Sequence, residues 1–120
     1  MQNEITFHKG GVGISVSVYL FRNGGAFVAY CPSLDLTGYD LTEDAARRDF
    51  EFVLNDWLRE QTANGTLRRD LEAHGWKIGA EDKGSEPVLR DLLRDNRNAA
   101  RVLSEPEYRK TNVRAMVECV

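Results

Sequence analysis

With 120 residues, 42% of them hydrophobic and 29% charged, the chain is long enough for one compact domain and too short for two comfortable ones. A formal net charge of −3 excludes a uniformly basic nucleic-acid binder but leaves room for a local basic patch. No stretch approaches the roughly 18 apolar residues of a membrane span, and the N-terminal MQNEITFHKGG has no apolar signal-peptide core. Cys31 and Cys119 therefore read as reduced thiols in a cytoplasmic protein.

In chain order, Ile5 and Phe7 suggest a short strand before Lys9-Gly10-Gly11. From Val12 to Arg22 the residues alternate, with Val12, Ile14, Val16, Val18 and Leu20 on one side, the signature of a half-buried strand. Asn23-Gly24 is a hairpin turn, because both positions tolerate positive φ. The return strand, Ala26–Cys31, stops at Pro32, which cannot donate to a ladder. Leu34, Leu36 and Gly38 suggest a third strand leading into a helix.

Thr42 is a good N-cap, with Glu43 and Asp44 favourably placed in the first turn. Ala46, Phe50, Val53, Leu54, Trp57, Leu58 and Gln61 follow helical spacing and give a broad stripe suited to packing on a sheet. Asn64-Gly65 ends the helix, and Thr66 is positioned to cap a second, short one through Leu67 and Leu71 to His74. Trp76 and Ile78 form a brief strand or cover the edge of the core.

Glu81–Ser85 is the one linker-like stretch. Beyond it, Ser85 and Pro87 mark the start of a third helix with Val88, Leu89, Leu92 and Leu93 inward. That helix breaks near Asn96–Asn98 or bends into Ala99–Leu103. Ser104-Glu105-Pro106-Glu107 has capping-box spacing for one more turn through Tyr108. Val113, Ala115, Val117 and Cys119 alternate as a terminal strand. These elements imply an α+β fold: an antiparallel sheet of three to four strands packed against one long helix. Residues 1–80 form that unit, and 81–120 form a mainly helical extension ending in a strand, packed on the same core.

Charge is uneven along the chain. Residues 1–67 hold five Lys/Arg against nine Asp/Glu, and residues 68–120 hold eleven against ten. A solvated acidic surface explains this, and an acidic half also suits a basic partner. Asp35, Asp40, Glu43, Asp44 and Asp49 lack the convergence on separate elements that a two-metal site needs, and neither His8 nor His74 has ligands at metal spacing. Ser15, Ser17, Ser33 and Cys31 are nucleophiles by type only, with no strand–turn–helix elbow around them. No catalytic residue, metal or cofactor is expected. Arg90, Arg94, Arg97 and Arg101 would share one stripe of a continuous helix and could hold phosphates or an acidic partner, although Glu86, Asp91 and Asp95 lie within reach to neutralise them.

The strand Gly25-Ala26-Phe27-Val28-Ala29-Tyr30, the step Pro32-Ser33-Leu34 and the helix entry Asp40-Leu41-Thr42-Glu43-Asp44-Ala45 resemble the HicB-like antitoxin family. That family's pattern is a Gly-aromatic-x-Ala strand, a Pro-x-Leu step and a Gly-Asp-Thr-x-x-x-Ala helix entry; Leu41 here interrupts the Asp-Thr pair. The likeness covers roughly residues 12–78. It implies a partly RNase H-like fold and a non-catalytic antitoxin that binds and masks a small basic RNA-cleaving toxin of the HicA type. Partner contact would fall around Tyr30, Ser33, Asp35 and Asp40, and self-association would use sheet edges or the terminal strand. The DNA-reading ribbon-helix-helix or helix-turn-helix common in such antitoxins is not expected, because nothing follows the terminal strand. The alternative is a stand-alone nucleic-acid-binding module of the same fold that uses the Arg90–Arg101 stripe.

Overall fold

A computed structural model describes residues 3–104 and 106–118. In chain order the elements are β1 (Glu4–His8), β2 (Gly11–Asn23), β3 (Ala26–Cys31), β4 (Leu36–Asp40), α1 (Glu43–Asn64), α2 (Leu67–Ala73), β5 (Lys77–Ile78), β6 (Lys83–Ser85), α3 (Leu89–Asp95), α4 (Arg97–Val102) and β7 (Tyr108–Glu118). The chain is α+β, with one antiparallel sheet of seven strands. Three to four strands were expected ahead of a terminal one. The brief strand suggested at Trp76 and Ile78 is β5, and the unexpected strand is β6, whose three residues are too short to leave a period in the sequence.

Strand β2 is the spine of the sheet. Along one edge it pairs with β7 in unbroken register from Gly11↔Glu118 to Phe21↔Tyr108. Its other edge is divided. Gly11–Ile14 pair with β1, and Tyr19–Asn23 pair with β3. Two wings, β1-β6-β5 and β3-β4, therefore leave the same edge of β2 and splay apart, exposing a gap in the ladder around Ser17. Unpaired main-chain groups there would cost free energy in a buried setting, and the gap is closed by a side chain described below.

One face of the sheet carries Val12, Ile14, Val16, Val18 and Leu20, joined by Val113, Ala115 and Val117 from β7. Helix α1 lies across it with Ala46, Phe50, Leu54 and Leu58 buried. Burying each of the three larger side chains contributes about 1.5–3 kcal/mol. Thr42 caps α1 by accepting from the Ala45 amide at 3.1 Å, and Gly65, at φ 69°, ends it. The helix can approach β4 because residue 38 is glycine. A Cβ there would stand 2.5 Å from the Phe50 nitrogen. The opposite face buries Tyr19, Phe21 and Tyr30 against Ala99 and Leu103, so α3 and α4 cover what α1 does not.

Several local expectations change. Residues 83–85 of the linker-like stretch are β6, paired to β1, so the segment from 81 onward contributes two strands to the common sheet. The third helix starts at Leu89 rather than near Ser85, because the Glu86 backbone N–H donates to the Asn3 carbonyl and holds that residue against β1. Its end agrees with the break expected near Asn96–Asn98: it stops at Asn96, whose side chain accepts from the Asn98 and Ala99 amides and starts α4. Thr66 stands at the N-cap of α2 without a capping bond; its hydroxyl donates to Gln61 Oε1 instead. Leu34 is buried in the turn before β4 rather than within it. Tyr108 opens β7 rather than closing a helical turn; Glu105 and Cys119, also named in those readings, lie outside the described residues.

Candidate functional site

The turn between β3 and β4 sits at the centre of the candidate site. Pro32, Ser33 and Leu34 are buried there, and Asp35 follows with φ 56°, a left-handed conformation that Asp tolerates better than most residues. Trp76 donates its indole N–H to the Ser33 carbonyl at 2.9 Å. The Ser33 hydroxyl donates to Glu86 Oε2 at 2.6 Å. The same carboxylate accepts from the Ser17 amide at 2.9 Å, the Ser17 hydroxyl at 2.7 Å and Asn3 Nδ2 at 3.1 Å. Glu86, only 7% exposed, thus plugs the gap in the β2 ladder. A buried carboxylate is tolerated only when its oxygens are this fully satisfied.

On the outer side of the turn the Tyr30 hydroxyl donates to Asp35 Oδ1 at 2.6 Å, and Asn98 Nδ2 donates to the same oxygen at 2.7 Å. Arg101 extends the chain by donating to Asn98 Oδ1 at 2.7 Å. Burial first, and the Asp35 hydrogen bond second, raise the Tyr30 phenol above its ordinary range. The Cys31 thiol, buried against Ser33, is pushed up to about 12 chiefly by desolvation. These groups bind one another and hold the turn. Ser33 is 0% exposed, so no substrate atom reaches its hydroxyl without opening the turn.

The four residues expected around a partner contact therefore separate. Tyr30 and Ser33 are buried and act from behind the surface, while Asp35 and Asp40 are exposed. The arginine stripe is divided between two helices at Asn96. Arg94 is held by Asp95 through two 3.0 Å hydrogen bonds and by Asp91 at 3.4 Å, and Arg90 lies 3.9 Å from Asp91. Asp95 accordingly sits below its usual carboxylate range because of Arg94. Arg94 and Arg97 border a cleft of about 800 Å³ whose lining mixes Lys77 and His74 with Glu72, Asp91 and Asp95. Among the described residues, no three His, Cys, Asp or Glu side chains converge to hold a metal ion.

A surface that sequence reasoning missed lies at the other end of the sheet. Tyr39 (68% exposed), Leu41 (76%) and Phe52 (73%) are large apolar side chains left in solvent. Tyr39, Leu41, Asp40, Asp49 and Ala26 line one shallow depression. Asp49 Oδ2 accepts the outward Tyr39 amide at 3.0 Å, capping the edge of β4. Phe52 and Asp56 follow Asp49 at spacings that keep them on the same flank of α1. The signal was present in the sequence: Phe52 falls outside the stripe that runs from Ala46 to Leu58.

No family model, curated protein or solved structure matches the chain. The helices of the described residues include none long and apolar enough to cross a membrane.

Proposed function

We propose that the protein is a non-catalytic HicB-like antitoxin that binds and masks a small basic RNA-cleaving toxin of the HicA type. The observation that carries this reading is the β4–α1 flank, where Tyr39, Leu41 and Phe52 stand exposed among Asp40, Asp49 and Asp56. Exposed aromatic groups provide anchors for a protein interface, and surrounding carboxylates favour and steer a basic partner. The order β2, β3, β4, α1 agrees with the order expected from the resemblance and supports it further.

The nucleic-acid alternative receives less support. Its arginines do not share one helix, and Arg94 already spends its charge on Asp91 and Asp95. The test is to examine the neighbouring reading frames for a small basic protein and to co-express the chain with it. The expected result is a complex that purifies intact and in which RNA cleavage by the partner is suppressed. A complex that forms while cleavage persists overturns masking.

A further inference from the structure

The outer edge of β7 is built for a copy of itself. Residues along a strand alternate in which edge their main-chain groups address. In β2 the Ser17 amide points to Glu86, on the side of β1 and β3, so the even-numbered residues of β2 address β7. Their partners in register are Thr111, Val113, Ala115 and Val117. The main-chain groups of Lys110, Asn112, Arg114 and Met116 consequently face outward, and no backbone hydrogen bond from another described residue reaches them.

Of the usual devices that prevent strand addition, this edge has charged side chains, Lys110 and Arg114 among them, but neither of the backbone devices, a proline or a bulge. It runs Tyr108–Glu118 with no proline and no break in register against β2. The opposite edge strand, β4, is treated differently: Asp49 occupies its Tyr39 amide. On β7, Met116 is 67% exposed on the sheet face away from α1.

We propose that two copies of the chain associate through antiparallel β7–β7 pairing, with the two-fold axis at Val113, to give one continuous sheet. This register matches the whole of Tyr108–Glu118 and forms about a dozen main-chain hydrogen bonds, two for each narrow pair. It sets Lys110 against Met116 of the second copy, so the lysine stem covers the exposed thioether. Arg114 meets Asn112, and Glu118 meets Tyr108. No two like charges lie directly opposite. Sliding one step in either direction sets Arg114 against its own copy, or against Lys110, a cross-strand like-charge pair that destabilises a sheet. Charge thus selects the register that also gives complete overlap.

Sedimentation equilibrium of the full chain over a concentration series tests this. The expected result is a monomer–dimer equilibrium. Arg114→Pro removes an outward N–H that β2 does not use, so it should abolish the dimer while leaving the circular dichroism spectrum and the melting temperature close to wild type. Asn112→Asp keeps the oxygen that accepts from Asn3 Nδ2 and adds a carboxylate opposite Arg114, and should tighten the dimer tenfold or more at low salt. Asn112→Arg should weaken it by a similar factor. A chain that remains monomeric throughout the series, or a dimer that Arg114→Pro and Asn112→Arg leave unchanged, overturns the proposal.

Discussion

The Ser33 hydroxyl donates to Glu86 Oε2 at 2.6 Å, and through that carboxylate the turn after β3 is fastened to the Ser17 amide in the middle of β2. The two wings of the sheet diverge at this point, so one side chain replaces the ladder bonds that neither β1 nor β3 can supply. Removing it should be costly. Glu86→Ala leaves the buried Ser17 amide and the Ser17 and Ser33 hydroxyls without the carboxylate that accepts from them, and a loss of about 3–5 kcal/mol is expected. Glu86→Gln, which keeps one oxygen, should fall between the two. Chemical denaturation of the three proteins measures both differences.

Gly38 sets the distance between α1 and β4. A methyl group at this position would overlap the Phe50 backbone, which cannot rotate away as a side-chain tip could. Gly38→Ala should therefore destabilise the fold by about 2 kcal/mol or more. Gly10→Ala, where an added Cβ meets nothing within 4 Å, serves as the control and should stay within about 0.5 kcal/mol of wild type. Equal effects at the two positions would contradict the close approach.

Alkaline pH should weaken the fold before it affects most surface charges. Burial raises Cys31 from 9.0 to about 12, and burial with the nearby Glu86 charge raises Tyr19 from 10.0 to about 12. The folded chain keeps protons that the unfolded chain releases, so this stability is complete below about pH 9 and is lost as pH rises towards 12. The urea midpoint should be level from about pH 7 to 8 and fall beyond pH 9. Cys31→Ala should shift the onset of that fall towards pH 10. A midpoint unchanged at pH 11 would show that these groups are not desolvated.

The exposed flank should matter for binding and not for stability. Phe52→Ala and Asp56→Lys remove an aromatic anchor and reverse a charge on side chains that the core does not use. Each should weaken capture of a basic partner by about tenfold or more, with melting temperatures near wild type. Isothermal titration against the co-expressed partner checks this, and raising the salt should reduce the Asp56 effect more than the Phe52 effect.

Much of the first half of the chain was legible because local chemistry settles it. The hairpin falls where it was expected, one residue on, at Gly24-Gly25 with Asn23 still paired to Ala26; Pro32 stops β3, Thr42 starts α1, and Gly65 ends it. The alternation from Val12 to Leu20 marked the core face of β2 correctly. What was not legible depends on distant partners. Residues 83–85 look like a linker because β6 is a strand only by virtue of pairing with β1. Glu86 resembles a solvated helix-start carboxylate, and nothing local reveals that it enters a gap between two hairpins. The arginines at 90, 94, 97 and 101 share one stripe only on a continuous helix, and the break expected near Asn96–Asn98 occurs, with Asn96 capping a new helix. Tyr30 and Asp35 do meet, as hydrogen-bond partners that fix a turn, and Asp40 faces solvent beside the apolar flank.

The most direct measurement of the central claim is an RNA-cleavage titration. The partner's activity is followed as wild-type chain, or a Phe52→Ala/Asp56→Lys double variant, is added. The account predicts stoichiometric loss of cleavage with the wild-type chain and a displaced, weaker inhibition curve with the folded double variant. Undiminished cleavage at saturating wild-type chain would contradict masking, and identical curves for the two proteins would remove the β4–α1 flank from the interface.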